Sequence, residues 1–174
     1  RGLGDVYKRH ELLIMKIIVL AGGLSTERDV SLSSAAGICR TLVEKGHDAF
    51  LLDVFMGLEN APENLEDVFT LPDHGLEIVK NISTEEPDLE AVKASRPDQS
   101  DCFFGPNVIE LCRLADITFL GLHGGEGENG KLQASFDLLG IKYTGPDSLG
   151  CAVAMHKGVA KQIFLESGVD LSLI

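Results

Sequence analysis

Basic charge is scarce in this chain: 15 lysines and arginines stand against 27 aspartates and glutamates, giving a net charge of −12. A nucleic-acid surface needs clustered cations facing phosphates, and no such cluster occurs, which argues against nucleic acid as a partner. Paired cysteines are also lacking. Cys39, Cys102, Cys112 and Cys151 are scattered without a C-x-x-C pair. That spacing suits neither a zinc site nor a disulfide framework, and it points to reduced, mostly buried thiols in a reducing compartment. No apolar run approaches the roughly 20 residues of a membrane span. Residues 12–21, preceded by Lys8, Arg9 and His10, imitate a signal peptide. Lys16 interrupts them, however, and Gly22-Gly23 continues into a loop rather than a cleavage region. The expectation is a cytoplasmic protein with no membrane partner. Two catalytic signatures are missing as well. Without G-x-S-x-G there is no serine nucleophile elbow, and Gly145-Pro-Asp-Ser-Leu-Gly150 has the wrong spacing for one. Without G-x-G-x-x-G, and with no acid about 20 residues further on, a nicotinamide cofactor is disfavoured; Asp53 is too distant for that role.

What is present is a folded, α/β-patterned chain. Hydrophobic residues make up 44% of its 174 positions, enough for one domain, or one domain and part of another. Mean hydropathy is +0.12, on the side of order. Residues 1–14 precede an internal Met15 and read as an extension or as a short helix packed on the domain. Residues 16–20 form a β-branched apolar run, the natural first strand. A glycine turn follows. A helix is predicted from Glu27 or Asp29 to about Lys45, with Ser25 or Thr26 as cap, Gly46 as stop, and Val30, Ala35, Ile38, Leu42 and Val43 at helical spacing. Residues 49–54 make a second strand, completing a βαβ unit with an expected right-handed crossover.

Residues 56–110 differ in kind. They hold five of the six prolines and 13 acidic against 3 basic residues. They read as an inserted, surface-facing segment with a solvated charge, in which 69–71 and 76–79 form short strands or irregular pieces and 108–114 an extra helix. Beyond it come a buried strand at 117–121, a helix at 131–139 ended by Gly140, a short strand at 141–144, and one long helix that Ser148 caps and Gly168 ends. The alternation defines the class as α/β, a Rossmann-like, mainly parallel sheet flanked by helices.

Three constellations carry chemistry. The turn at Gly22-Gly23 leads into a helix start, where free N–H groups favour an anion, while Glu27 at the same place suits an ammonium group or the helix end itself. His123 follows a strand and is trailed by Gly124, Gly125, Gly127 and Gly130, which let backbone approach a ligand closely. In an open α/β sheet this is the crevice end. His123 could donate a hydrogen bond to a substrate carboxylate, or be a satisfied turn residue. Lys157 and Lys161, one helical turn apart, suit a phosphate contact or a solvated face.

Three ordered motifs together resemble the N-terminal part of the D-alanine–D-alanine ligases. The first is Leu20-Ala-Gly-Gly-Leu-Ser-Thr-Glu-Arg-Asp-Val-Ser-Leu32. The second is His123-Gly-Gly-Glu-Gly-Glu-Asn-Gly-Lys-Leu-Gln133. The third is Tyr143-Thr-Gly145 followed by Ala154-Met-His-Lys157. The resemblance spans about 15–174. It implies a pre-ATP-grasp domain at 15–146, carrying the acidic insertion 56–110, and the start of an ATP-grasp domain at 147–174. Its magnesium carboxylates, phosphate loop and stabilising arginine would follow Ile174. The implied activity is ATP- and Mg2+-dependent joining of two D-alanines through a D-alanyl phosphate, for peptidoglycan synthesis. Glu27 would hold the ammonium of the first D-alanine, Val30 would border its methyl group, and His123 and Gly124 would sit beside its carboxyl. Lys157 would reach ATP phosphate. D-alanine and ATP are the implied partners, and the resemblance leaves room for a homodimer. Asn129 and His156 stand where many members carry Asp. Two other readings remain open: an ATP-grasp ligase of the D-alanyl-D-lactate type, and a non-catalytic module that binds a small amino acid.

Overall fold

A computed structural model describes residues 13–79 and 86–169. Three parallel strands, β1 (Lys16–Ala21), β2 (Asp48–Asp53) and β3 (Ile117–Leu120), form one sheet in the order β2-β1-β3. Ile18 pairs with Phe50 on one side and Thr118 on the other. β1 is central because its β-branched run can be buried on both faces, as a parallel sheet requires. Side chains alternate between the faces. Ile17, Val19 and Ala21 pack with Ala49 and Leu51 beneath α1 (Arg28–Glu44), which buries Leu32, Ala35, Ala36 and Cys39. The two alanines let the helix lie close to the strands. Val30 was expected on this apolar stripe but is 60% exposed, off the face that Ser31, Leu32, Ala35 and Cys39 bury.

The opposite face corrects the reading of residues 56–110 as merely surface-facing. Ile18, Leu20, Phe50 and Leu52 are covered there by Val68, Phe69 and Val108 from this segment, together with Leu111, Leu132 and Phe136. A sheet left bare on one side would expose a row of large apolar side chains, so the acidic stretch supplies the missing layer and turns its carboxylates outward. The pieces expected as short strands or irregular segments are 3-10 turns, at Leu65–Thr70 and Leu76–Val79. Two short helices follow, α2 (Leu89–Ser95) and α3 (Val108–Leu114), the latter as expected. Arg96, 1% exposed, lies 4.8 Å over the Phe55 ring and donates to the carbonyls of Cys102 and Phe104. Its Nη2 donates to the Asp98 carboxylate at 3.0 Å and its Nε lies 2.7 Å from it as an ion-pair contact, and the hydrogen bond from Arg96 holds Asp98 below the usual carboxylate range.

Past β3, α4 (Lys131–Leu139) ends at Gly140 in the left-handed region, as the sequence suggests. The strand expected at 141–144 reduces to a single bridge between Thr118 and Tyr143. The long helix expected from Ser148 to Gly168 is two helices, α5 (Ser148–Met155) and α6 (Lys157–Glu166). Asp147, not Ser148, caps the first, accepting from Gly150 N at 2.7 Å. His156 leaves helical geometry between them and its Nδ1 accepts from Val159 N at 3.2 Å, so it starts a second helix instead of continuing the first. Residues 1–12 of the expected N-terminal extension lie outside the described residues; Leu13 and Ile14 are exposed. Among the described residues no helix is long and apolar enough to cross a membrane.

Burial separates the thiols. It pushes Cys39 up to about 11 and Cys112 up to about 12, against an ordinary 9.0, whereas Cys102 is exposed. A thiol reagent is expected to reach Cys102 at once and the other three only on unfolding; rapid loss of all four would contradict this core. The folded chain also holds thiol protons that the unfolded chain releases. Their contribution to stability is therefore complete below pH 9.0 and declines as pH rises towards the folded values of about 11 and 12. Urea midpoints measured above and below that pH should show the decline, and Cys112→Ala should lessen it.

Candidate functional site

Two loops meet at the carboxyl ends of the strands: residues 22–27 after β1 and residues 121–130 after β3. Gly22 has φ +73°, and a Cβ there would lie 2.5–2.8 Å from the Asp53 carboxylate. Only glycine lets that carboxylate close on the turn. Asp53, at the end of β2, accepts at Oδ1 from Phe55 N at 2.9 Å and Met56 N at 3.1 Å, with Gly23 N at 3.5 Å. Its Oδ2 is hydrogen-bonded to Arg28 Nη2, and Arg28 Nη1 donates to Gly23 O at 2.8 Å. Both side chains are buried, at 10% and 3% exposure. The pair therefore clamps the β1 loop to the end of β2, each charge facing the other and each partner also bonded to loop backbone.

Serines then join this loop to the next. Ser31 Oγ accepts from Gly22 N at 2.9 Å and donates to Gly121 O at 2.7 Å. Ser25 Oγ accepts from Glu27 N at 3.2 Å and donates to His123 O at 2.6 Å. Ser25 was expected as a helix cap. Instead Glu27 occupies the cap position with no side-chain capping bond, and Ser25 reaches across to the β3 loop. On that loop Gln133 Nε2 donates to Gly127 O at 2.8 Å, and Asn129 Oδ1 accepts from Lys131 N at 3.1 Å. Gly130 has φ +90°, and a Cβ would meet Ser148 O at 2.3 Å, so glycine is what allows α5 to pack there.

Of the residues singled out by sequence, the fold brings Glu27, His123 and Gly124 together. Gly124 has φ +69°, and Glu27 Oε2 lies 2.9 Å from where its Cβ would be. The Glu27 carboxylate thus rests against the Gly124 backbone, exposed and without a hydrogen-bond or ion-pair partner among the described residues. His123 is half-buried, with Nε2 3.3 Å from Ser34 Oγ. Val30 is exposed on the first turn of α1. Lys157 is exposed at the start of α6 and takes no part in the bonds that join the two loops. A cleft of about 400 Å3 is lined by Leu24 of the first loop and by Phe55, Lys93 and Gln99, and neither Glu27 nor His123 lines it. Sequence reasoning missed Arg28, Asp53, Ser31 and Ser34. An acid ending one strand and an arginine just past a glycine turn were the visible signal, but Asp53 had been weighed only as a ribose contact.

A parallel sheet flanked by helices, with glycine loops at its carboxyl ends, places the chain in the class of α/β domains. The family follows from comparison with known proteins: the family model described as D-ala D-ala ligase N-terminus matches residues 16–146. The chain belongs to that family. It is 45% identical over 158 residues to a D-alanine–D-alanine ligase of Lacticaseibacillus casei, covering 91% of this chain and 44% of the relative. A ligase of Pediococcus pentosaceus is 48% identical over 160 residues, covering 89% and 44%. The chain thus spans under half the length of these relatives. Among solved structures, the Bacillus anthracis D-alanine–D-alanine ligase complexed with ATP shares the fold, with TM-score 0.55, 22% identity and coverage of 90% of this chain and 38% of that one. The Coxiella burnetii enzyme gives TM-score 0.53 at 25% identity, covering 88% and 42%.

Removing one partner of the buried ion pair leaves the other charge uncompensated. Asp53→Asn or Arg28→Met is expected to cost about 3–5 kcal/mol in urea unfolding. Ser31→Ala should cost about 1–3 kcal/mol, since Gly22 N and Gly121 O lose their partner. Changes under 0.5 kcal/mol, the range of ordinary surface substitutions, would show that these contacts do not hold the loops.

Proposed function

We propose that this chain forms the first-substrate side of an ATP-dependent ligase that joins two D-alanines for peptidoglycan synthesis, through a D-alanyl phosphate. The observation that carries the reading is the convergence of Glu27 and His123 from separate loops over Gly124. Glu27 offers a free carboxylate, the natural partner of the ammonium of the first D-alanine. His123 stands beside it to engage the carboxyl, with the Gly124 backbone alongside, and Val30 is free to border the methyl group. Holding both ends of so small a molecule sets the direction in which its carboxyl points, which is what positioning for acyl and phosphoryl transfer requires.

Lys157 suits a contact with ATP phosphate: it is an exposed cation, and Lys161 one turn on strengthens the same field. ATP would supply the phosphoryl group that activates the carboxyl. No group of three or more His, Cys, Asp or Glu side chains that could hold a metal ion occurs among the described residues, and no role for Mg2+ is assigned to them. We read residues 15–146 as the pre-ATP-grasp domain and 147–174 as the start of the ATP-grasp domain. α6 supports this, since Val159, Ile163, Phe164 and Leu165 are exposed along it, a face that suits further packing.

The 174 residues alone carry one side of this site, so D-alanine is expected to bind weakly and to trigger no ADP release. Calorimetric titration checks the first point and a coupled ADP assay the second. Glu27→Gln should weaken D-alanine binding roughly ten- to a hundred-fold, the range of a hydrogen bond to a charged group. Turnover by these residues alone would overturn the half-site reading. Micromolar binding without chemistry would favour a stand-alone amino-acid-binding module.

A further inference from the structure

A hydroxyl carries one proton, so a serine that donates to a carbonyl can only accept from its second neighbour. Two serines of this site obey that rule without ambiguity, because one neighbour of each is a backbone N–H. Ser25 accepts from Glu27 N and donates to His123 O. Ser31 accepts from Gly22 N and donates to Gly121 O. Ser34 has the same two-sided environment: the carbonyl of Ser31 at 3.1 Å, to which it donates, and His123 Nε2 at 3.3 Å. When Ser34 donates its proton to the carbonyl one turn back in α1, as the 3.1 Å contact allows, its Oγ has only lone pairs to offer the imidazole.

We propose that Ser34 is a positioning residue that holds His123 with its proton on Nε2, leaving Nδ1 as the nitrogen available to a ligand. The proposal deepens the ligase reading and rests on it for its functional meaning. A neutral His123 so held presents a lone pair at Nδ1 and repels a carboxylate oxygen. It receives a hydrogen bond from a ligand N–H or O–H, and it donates to a carboxylate through Nδ1 only as imidazolium. Ser34 would thus decide which polarity of ligand group the ring accepts, without touching the ligand itself. The backbone of the same residue is tied independently, through Ser25 and the His123 carbonyl, so ring orientation and loop position are set by different serines.

The test is nitrogen-15 NMR of the chain labelled at histidine, at a pH where the ring is neutral, in the parent and in Ser34→Ala and Ser34→Thr. Ser34 is exposed on α1, so neither change disturbs the core, and the amide spectrum checks that the fold is kept. The expected result is an Nε2-bound proton of His123 protected from exchange in the parent, lost in Ser34→Ala and kept in Ser34→Thr, which retains the hydroxyl. An Nδ1-bound proton, the absence of a protected signal in the parent, or a signal that survives Ser34→Ala would overturn the proposal. The readout needs no substrate. Failure of D-alanine to bind would count against the ligase reading and leave the tautomer result standing.

Discussion

The Arg28–Asp53 ion pair is the constraint on which the rest of the site depends. It sits at the carboxyl ends of β1 and β2, where two strands finish side by side and the chain must turn away from both. Taking two charges out of water is costly, and a buried pair persists when its remaining hydrogen-bonding capacity is met. That condition holds at Asp53, whose carboxylate also faces the amides of Phe55 and Met56, and at Arg28, which grips the Gly23 carbonyl. The same geometry requires glycine at position 22, since any side chain would displace the carboxylate. One electrostatic contact therefore settles the path of the β1 loop, the start of α1 and the direction in which Glu27 projects.

From that clamp the order extends by hydroxyl groups. Ser31 and Ser25 carry it from the β1 loop to the β3 loop, and Ser34 extends it to the His123 ring. Each bond is modest alone, but those of Ser25 and Ser31 satisfy backbone groups of the two loops that would otherwise be unpaired. Glu27 and His123, the polar side chains proposed to meet D-alanine, thus stand at the accessible edge of this network, Glu27 exposed and His123 half-buried. Their position is inherited from residues that never approach the ligand, which explains why the polar groups of this domain cluster at one end of an otherwise apolar sheet.

Much of the architecture was legible in the residue order, because it rests on short-range pattern. The β-branched run at β1, the glycine stops at Gly46 and Gly140, and α3 inside the acidic stretch all follow from local spacing and turn chemistry. The errors share a cause. Residues 56–110 looked solvent-facing because their charge dominates the composition, while the few apolar residues that matter, Val68, Phe69 and Val108, are too few and scattered to show a period. Val30 fits a helical repeat on paper yet lies off the stripe that packs on the sheet. The continuous helix after Ser148 follows from apolar spacing between a cap and a glycine stop, and a capping bond to His156 divides it.

For the candidate site, the ordered motifs were enough to establish the family and to nominate Glu27, His123 and Gly124, since those residues stand in recognisable local strings. The polar framework beneath them was beyond reach of the residue order. Arg28 meets Asp53 across 25 positions, and Ser31 meets Gly121 across 90. Such encounters leave no periodic trace, because they depend on which strands lie next to each other and how their ends are aligned. Only the folded sheet, by setting β1 between β2 and β3, converts an unremarkable arginine, aspartate and three serines into the frame that aims the site.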